Sequence, residues 1–528
     1  MATSATENGD APARGSRVPV AAAAMIAACI LPFFLVDVPP VLDYPQHLAR
    51  MYLLAFADAD PVLSTMFRTA WRLIPNLAID IVGPPLLKVF PVHVAGRIVL
   101  AGALLLPVAG VLAYHRAVFG RLSGWAVAVG LVAYNGIFLL GFLNFLYGIG
   151  LAFLAAAWWI AWRERSAIAG VAGTAFLSAV VFVAHLYATF LLGLLVGTQE
   201  LARLWRRRRD GTLTAIDVAS SAAILLLALS PMLILSLVTP SAVQPGPIIW
   251  DSFPRKVFEL LVPFMTTSRA VTLATAIGVG VAVVLGWRRG RVDTGSAIAF
   301  VILFLVYFAV PGTMTGGAYV ATRLPLMFGL VLFAGFRPSF QPREGRVVGL
   351  ALALVFTVRI AMTAIDWHGY AEDVAEVRKA IAVLNPGDRV IVATAALGAS
   401  PDYLAAEPPA RRLPDTARLD IHLGSLATIE RHAFMPLIAA DTGYQPLARL
   451  PAYDALSKSN GEPADYRWLA DPGTPAARVD APYLAGWEAK FGYVLVLDAE
   501  ALPTADFLPE KLELIGRAGT AAMYRVKR

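Results

Sequence analysis

Hydrophobic residues in this chain come in long unbroken runs, at roughly 18–37, 93–114, 124–142, 145–162, 167–184, 186–202, 213–238, 270–287, 295–311, 323–336 and 347–365. Most approach the ~20 residues a helix needs to cross ~30 Å of hydrocarbon. The pattern predicts a polytopic α-helical membrane protein of about eleven spans. Two stretches break it. Residues 38–92 form a long polar-interrupted loop after the first run, and residues 366–528 have the mixed texture of a soluble domain. There "YAEDVAEVRKAIAVL" has helical spacing and ends at the turn signal "NPGD", while "RVIVAT", "YVLVLD" and "AAMYRV" read as strands. The expected organisation is a polar N-terminus (1–17), a membrane domain (18–365) and a C-terminal α/β domain (366–528).

The gaps between runs add sidedness. Arg116/Arg121, Arg163/Arg165, Arg203 with Arg206–Arg209, Arg288–Arg291 and Arg337/Arg343/Arg346 occupy alternate gaps. Basic residues are retained on the cytoplasmic side of short loops. A disordered cytoplasmic N-terminus carrying Arg14 and Arg17 then places every one of these clusters in the cytoplasm. The same count sends 38–92, the tip at 143–144, the region of His185, 239–269, 312–322 and the C-terminal domain outward, to the periplasm of a bacterial-type inner membrane.

Composition narrows the class. Of 528 residues, 58% are hydrophobic and 15% charged, with mean hydropathy +0.65, against about 25% charged in a soluble domain. The net charge of +7 reflects loop arginines rather than a nucleic-acid surface. The lone Cys29 excludes an internal disulfide and a cysteine-based zinc site. There is no P-loop, GxSxG or HExxH motif.

Candidate chemistry concentrates in "VLDYPQHLAR" (41–50), just past the first span. Pro45 suits a helix's first turn, and Asp43, His47 and Arg50, spaced four and then three apart, share one face. A carboxylate there can accept a hydroxyl proton while the cations hold an anion. Equally, Asp43 could be a helix cap on an interfacial, salt-bridged surface. Asp80, in a second interrupted helix of the same loop (71–90), is a further candidate or a solvated acid. Arg323 follows a glycine pair in "TGGAYVATRLPL", at the outer mouth of a late span; it fits a phosphate or a snorkelling role. His185 lies between two apolar runs at membrane depth, where an ionisable group marks a site or a loop tip. The "PRK" at 254–256 reads as interfacial, and His422 and His432 receive no role from their spacing.

This layout resembles the GT-C superfamily, membrane glycosyltransferases that use polyprenyl-phosphate-linked sugars. Its sharpest match is "LDYPQHLA", where Asp43 stands in the position of the family's catalytic acid. The resemblance implies an inverting transfer from a polyprenyl-phosphate-sugar donor to a lipid, glycan or protein acceptor. Asp43 would be the general base, with His47, Arg50, Asp80, Asn144, His185 and Arg323 as candidate substrate contacts. The sequence also departs from the family. Tyr44 follows Asp43 where a second acid is frequent, and "GFLNFLYG" offers Asn144 rather than an acid in the next outer loop. A divalent cation would be poorly held without that acid, so the expectation is either a metal-independent enzyme with no cofactor or a relative with different chemistry, a divalent cation being the lesser alternative. A transporter would require ionisable residues within spans and two related halves, neither of which is evident. A non-catalytic scaffold with a glycan- or partner-binding outer domain remains the alternative.

Overall fold

A computed structural model describes residues 17–239, 246–314, 317–397, 399–414, 417–459 and 461–528. The N-terminal segment and Gly316 lie outside them. The chain opens with α1 (Arg17–Ile30), prolonged by a 3₁₀ turn at Leu31–Phe34. The first loop carries α2 (Tyr44–Phe56), a short strand β1 (Phe67–Thr69) and α3 (Ala78–Leu87). Then comes α4 (Val92–Phe119), followed by two short pieces, α5 (Gly124–Val127) and α6 (Gly136–Leu139). Next are α7 (Leu143–Trp162), α8 (Ala167–Ala184), α9 (Leu186–Arg209) and α10 (Ala215–Val238). A short α11 (Phe253–Glu259) leads to α12 (Arg269–Trp287), β2 (Arg291–Val292), α13 (Thr294–Ala309), α14 (Leu324–Gly335), β3 (Phe336–Arg337) and α15 (Pro342–Ile381). Six of these, α4, α7, α8, α10, α12 and α15, are long and apolar enough to cross a membrane. The chain is a multi-pass membrane protein. On α9, Arg206–Arg209 occupy the last turn, where cations complement the helix dipole.

One apolar run does not form a continuous helix. Residues 124–142 fold as α5, a 3₁₀ stretch (Ala128–Val132) and α6, interrupted at Asn135. Irregular backbone at membrane depth survives only where protein satisfies its polar groups, and here it does. Asn135 accepts from the Phe138 N–H and donates to the Val132 and Ala133 carbonyls. Arg359 of α15 donates to Tyr134 O at 2.6 Å, Phe264 O at 2.7 Å and Thr275 Oγ1 at 3.0 Å. Hydropathy reports that a segment is buried, but not whether lipid or protein buries it.

α15 has 40 residues, about 60 Å of rise or twice the hydrocarbon thickness, and passes through residue 366 unbroken. Its second half packs on a five-stranded sheet in the order β6-β4-β7-β9-β8. This sheet comprises β4 (Val390–Thr394), β6 (Ala464–Asp465), β7 (Tyr493–Leu497), β8 (Leu512–Ala518) and β9 (Ala521–Val526). β4 pairs in parallel with β6 and β7, while β9 is antiparallel to both β7 and β8. The three strands expected from "RVIVAT", "YVLVLD" and "AAMYRV" are β4, β7 and β9.

The C-terminal domain is seated on the first loop. β1 pairs antiparallel with β5 (Leu447–Arg449). Tyr52 meets His432 Nε2 at 2.9 Å, and His432 Nδ1 lies 3.1 Å from Asp60. Arg378 of α15 joins Asp37, Glu430 and His93. α2 is therefore enclosed between α3 and the C-terminal domain instead of lying free along a lipid surface.

Beneath it, Arg50 Nε donates to Asp80 Oδ1 at 2.7 Å, with both side chains almost wholly buried (3% and 1% exposed). Removing one member of such a pair strands a buried charge, at about 3–5 kcal/mol. Arg50→Ala or Asp80→Ala should therefore lower the melting temperature of the detergent-solubilised protein sharply. Arg50→Met combined with Asp80→Leu should recover most of the loss. If the double substitution were as damaging as the singles combined, the pair would not be the cause.

Candidate active site

Asp43 occupies the N-cap position of α2, yet its side chain accepts no hydrogen bond from the helix N–H groups. Its surroundings explain how it is held. Leu42 N donates to Leu139 O, and His47 Nε2 donates to Gly141 O at 3.0 Å. Gly141 has φ +86°, and a Cβ there would fall 2.7 Å from the Asp43 nitrogen. Only glycine permits that backbone shape and that approach. The turn that ends the broken segment thus seats Asp43, and its carboxylate, 30% exposed, points elsewhere.

The carboxylate lines a cavity of about 420 Å³ whose other polar lining residues are Arg255, Tyr319, Thr394, Arg418, His422 and Glu462. A second cavity of about 250 Å³ shares Leu140, Arg255 and Tyr319 with it and extends to Glu259 and Met265. His422 Nε2 is 3.6 Å from Asp43 Oδ1. Gln46 Nε2 donates to His422 Nδ1 at 2.8 Å, so a neutral ring carries its proton on Nε2, facing the carboxylate. Arg418 is engaged by Asp420, Glu407 and Asp498. Arg255 pairs with Asp251 and Glu259 at 3.3 and 3.2 Å.

Arg323 is held differently. Its guanidinium lies 4.5 Å from the Phe142 ring centroid, 5.0 Å from Tyr187 and 5.9 Å from Phe145. Phe142 is itself in the wall of the Asp43 cavity, and the Asp43 charge acts on Arg323. Among the described residues no carboxylate pairs with Arg323, and its Nε lacks a hydrogen-bond partner. The side chain is a cation on an aromatic seat behind the cavity wall, and its Nη2 donates to Ala318 O at 3.5 Å.

The other candidates are distributed as follows. Arg50 and Asp80 bind each other away from the cavity. Asn144 accepts from Ile79 N at 2.8 Å and donates to Asn76 O, fixing the start of α3. His185 caps α9 by accepting from Tyr187 N at 3.1 Å, with its ring against Phe145 and Tyr187, the same aromatics that seat Arg323. His47 lies next to Asp43 with its Nδ1 unpartnered. Asp43, His47 and Arg323 are thus gathered at one end of the bundle, with His185 behind Arg323. Sequence reasoning missed Arg255, His422 and Glu462. Arg255 sits in the interfacial-looking "PRK", and Gln46 and His422 meet across 376 residues with no local pattern to announce them.

No protein-family profile and no curated protein sequence matches the chain. The structure, however, superposes on ArnT from Cupriavidus metallidurans, crystallised bound to undecaprenyl phosphate, over 97% of this chain and 98% of that one. The TM-score is 0.51 at 13% identity. The fold is ArnT-like: a multi-pass helical membrane bundle carrying a small C-terminal sheet domain.

Burial, then the adjacent Arg50 charge, pushes the His47 imidazole down to about 4. The folded state thus favours the neutral ring, and this contribution is complete above pH ~6.5. It declines as pH falls from there toward 4. Melting temperatures measured between pH 7 and 5 should fall more steeply for the wild type than for His47→Gln, which keeps a donor for Gly141 O. Parallel curves would remove His47 as a source of the acid sensitivity.

Proposed function

We propose that this protein is an inverting membrane glycosyltransferase of a bacterial inner membrane. It takes a sugar from a polyprenyl-phosphate donor and passes it to a lipid, glycan or protein acceptor on the periplasmic side. The observation that carries this reading is Asp43 itself, a carboxylate at a helix N-cap that caps nothing and opens into a cavity; behind the wall residue Phe142 sits Arg323, which has no carboxylate partner among the described residues. The ArnT-like fold supports it, as does the undecaprenyl phosphate bound by the similar ArnT. The alternate basic gaps support the orientation.

Asp43 takes the proton of the acceptor hydroxyl while that oxygen attacks the anomeric carbon. The bond from that carbon to the phosphate oxygen breaks, its electron pair stays on the departing lipid phosphate, and the configuration inverts. Negative charge develops at the phosphate, and Asp43, an anion, cannot stabilise it. Arg323, with Arg255 on the adjoining wall, supplies the opposite sign. The proposed reaction uses no metal ion. Hard cations want several oxygen ligands, and among the described residues no group of three His, Cys, Asp or Glu is placed to hold one.

Asp43→Asn keeps the volume and removes the base, so transfer should fall by about 10²–10⁴-fold with expression and melting temperature near wild type. Radiolabelled sugar transfer in membranes measures this, and undiminished transfer would end the assignment. Arg323→Ala should weaken donor use by roughly tenfold to a hundredfold, the equivalent of about 1.5–3 kcal/mol for a charge-assisted contact. Arg323→Lys should restore only part, since an ammonium lacks the planar fork. Full activity in Arg323→Ala would return that residue to a packing role.

A further inference from the structure

Opposite the Asp43 cavity, the far end of the helix bundle holds a second concave site that the proposed transfer does not use. It is a cavity of about 290 Å³ lined by Arg121, Arg289, Arg291, Arg337, Pro338 and Ser339. The arginines come from three separate connections: the turn after α4, the link between α12 and α13, and the link between α14 and α15. β2 and β3 pair antiparallel with Arg291 directly opposite Arg337. Like charges facing each other across a strand pair destabilise it, and Arg121 adds a third positive charge that bears on Arg337.

No described carboxylate offsets this. Among the described residues only Arg289 has an acid near it, Glu344 at 3.9 Å. Asp293, one residue beyond β2, is turned away to cap α13 and to meet Gln199. The positive-inside tendency accounts for arginines at this end of the bundle. It does not account for their convergence on one cavity, or for two of them in register on a two-residue ribbon. A multiply charged anion between them would turn that repulsion into attraction, and the planar guanidinium suits phosphate oxygens.

We propose that Arg121, Arg289, Arg291 and Arg337 form a phosphate-binding site at the end of the bundle opposite Asp43, taking a phosphomonoester or diphosphate group. The other face of the ribbon indicates one source. Val292 and Phe336 close an apolar groove of about 610 Å³ between α12, α13 and α14. On α12 it runs from Ala276 to Trp287, about 17 Å of rise. A lipid phosphate can place its chain there and its head at the arginines, whereas a soluble diphosphate would use the arginines alone.

The test is thermal unfolding of the full-length protein in detergent, with and without two probes: inorganic pyrophosphate, and phosphatidic acid added as mixed micelles. Wild type should gain about 3–5 °C with at least one of them. In Arg291→Gln/Arg337→Gln that gain should vanish, while the probe-free melting temperature stays level or rises because the repulsion is relieved. This crossing of the two effects separates a binding role from a purely structural one. Arg121→Gln should reduce the gain by itself, which covers the case of a poorly folding double variant.

Arg208→Gln/Arg209→Gln removes the same charge from the exposed end of α9 and should leave the gain intact. Gly280 lines the groove, and an added Cβ there meets nothing within 4 Å, so Gly280→Phe fills the groove without an internal clash. Loss of the phosphatidic acid response in Gly280→Phe assigns the phosphate to a lipid. A pyrophosphate response that survives it assigns a soluble anion. The proposal is overturned if neither probe shifts wild type, if the Arg291/Arg337 double variant responds fully, or if the Arg208/Arg209 variant loses as much.

Discussion

A backbone N–H or C=O left bare in hydrocarbon costs several kcal/mol, and that constraint organises this molecule around one break. Between α5 and α7 the α-helical ladder is interrupted inside the bundle, and Arg359 of α15 reaches across to the Tyr134 and Phe264 carbonyls. Asn135 closes much of the rest internally. The break ends in the Gly141 turn against which Asp43 and His47 are set. An uninterrupted span would have no such turn at this position. The candidate site is therefore a product of the break, and an arginine within the hydrophobic run of α15 sustains it.

The first loop is rigid for a related reason. The Arg50–Asp80 pair is buried, so each charge confines the other. Asn144 fixes the start of α3, and the C-terminal domain covers α2 through β1, Tyr52 and Gln46. Of the four ionised groups singled out in the sequence, two are spent on holding the loop, leaving Asp43 and Arg323 with chemical freedom. A general base and an anion-binding cation need fixed supports, and a site of this kind separates groups that support from groups that react.

The C-terminal domain is part of the site wall as well as a cover for it. Thr394, Arg418, His422 and Glu462 face Asp43 across the cavity, and Arg418 is itself anchored by three carboxylates. α15 makes this possible by running unbroken from the membrane portion into the domain, with no flexible joint between them. The Arg378 cluster, with Asp37, His93 and Glu430, ties the same helix back to the start of the first loop.

The sequence by itself determined the parts governed by short-range physics. Ten of the eleven apolar runs are helices, because run length and the absence of bilayer water leave no other backbone solution. Strands β4, β7 and β9 were legible as short apolar runs bounded by turns, rich in β-branched residues in β4 and β7. Pro45 marked the start of α2, since proline geometry at a helix's first turn is local. Tertiary structure alone decided the remainder. It broke the run at 124–142, because hydrophobicity is the same for a segment buried in lipid and one buried in protein. It bound Arg50 to Asp80, 30 residues away, and brought His422 to Asp43 from the far end of the chain. Charges on a helix face look equally available in a sequence. Which are neutralised by a partner and which are left open to a ligand depends on long-range contacts that no local spacing encodes.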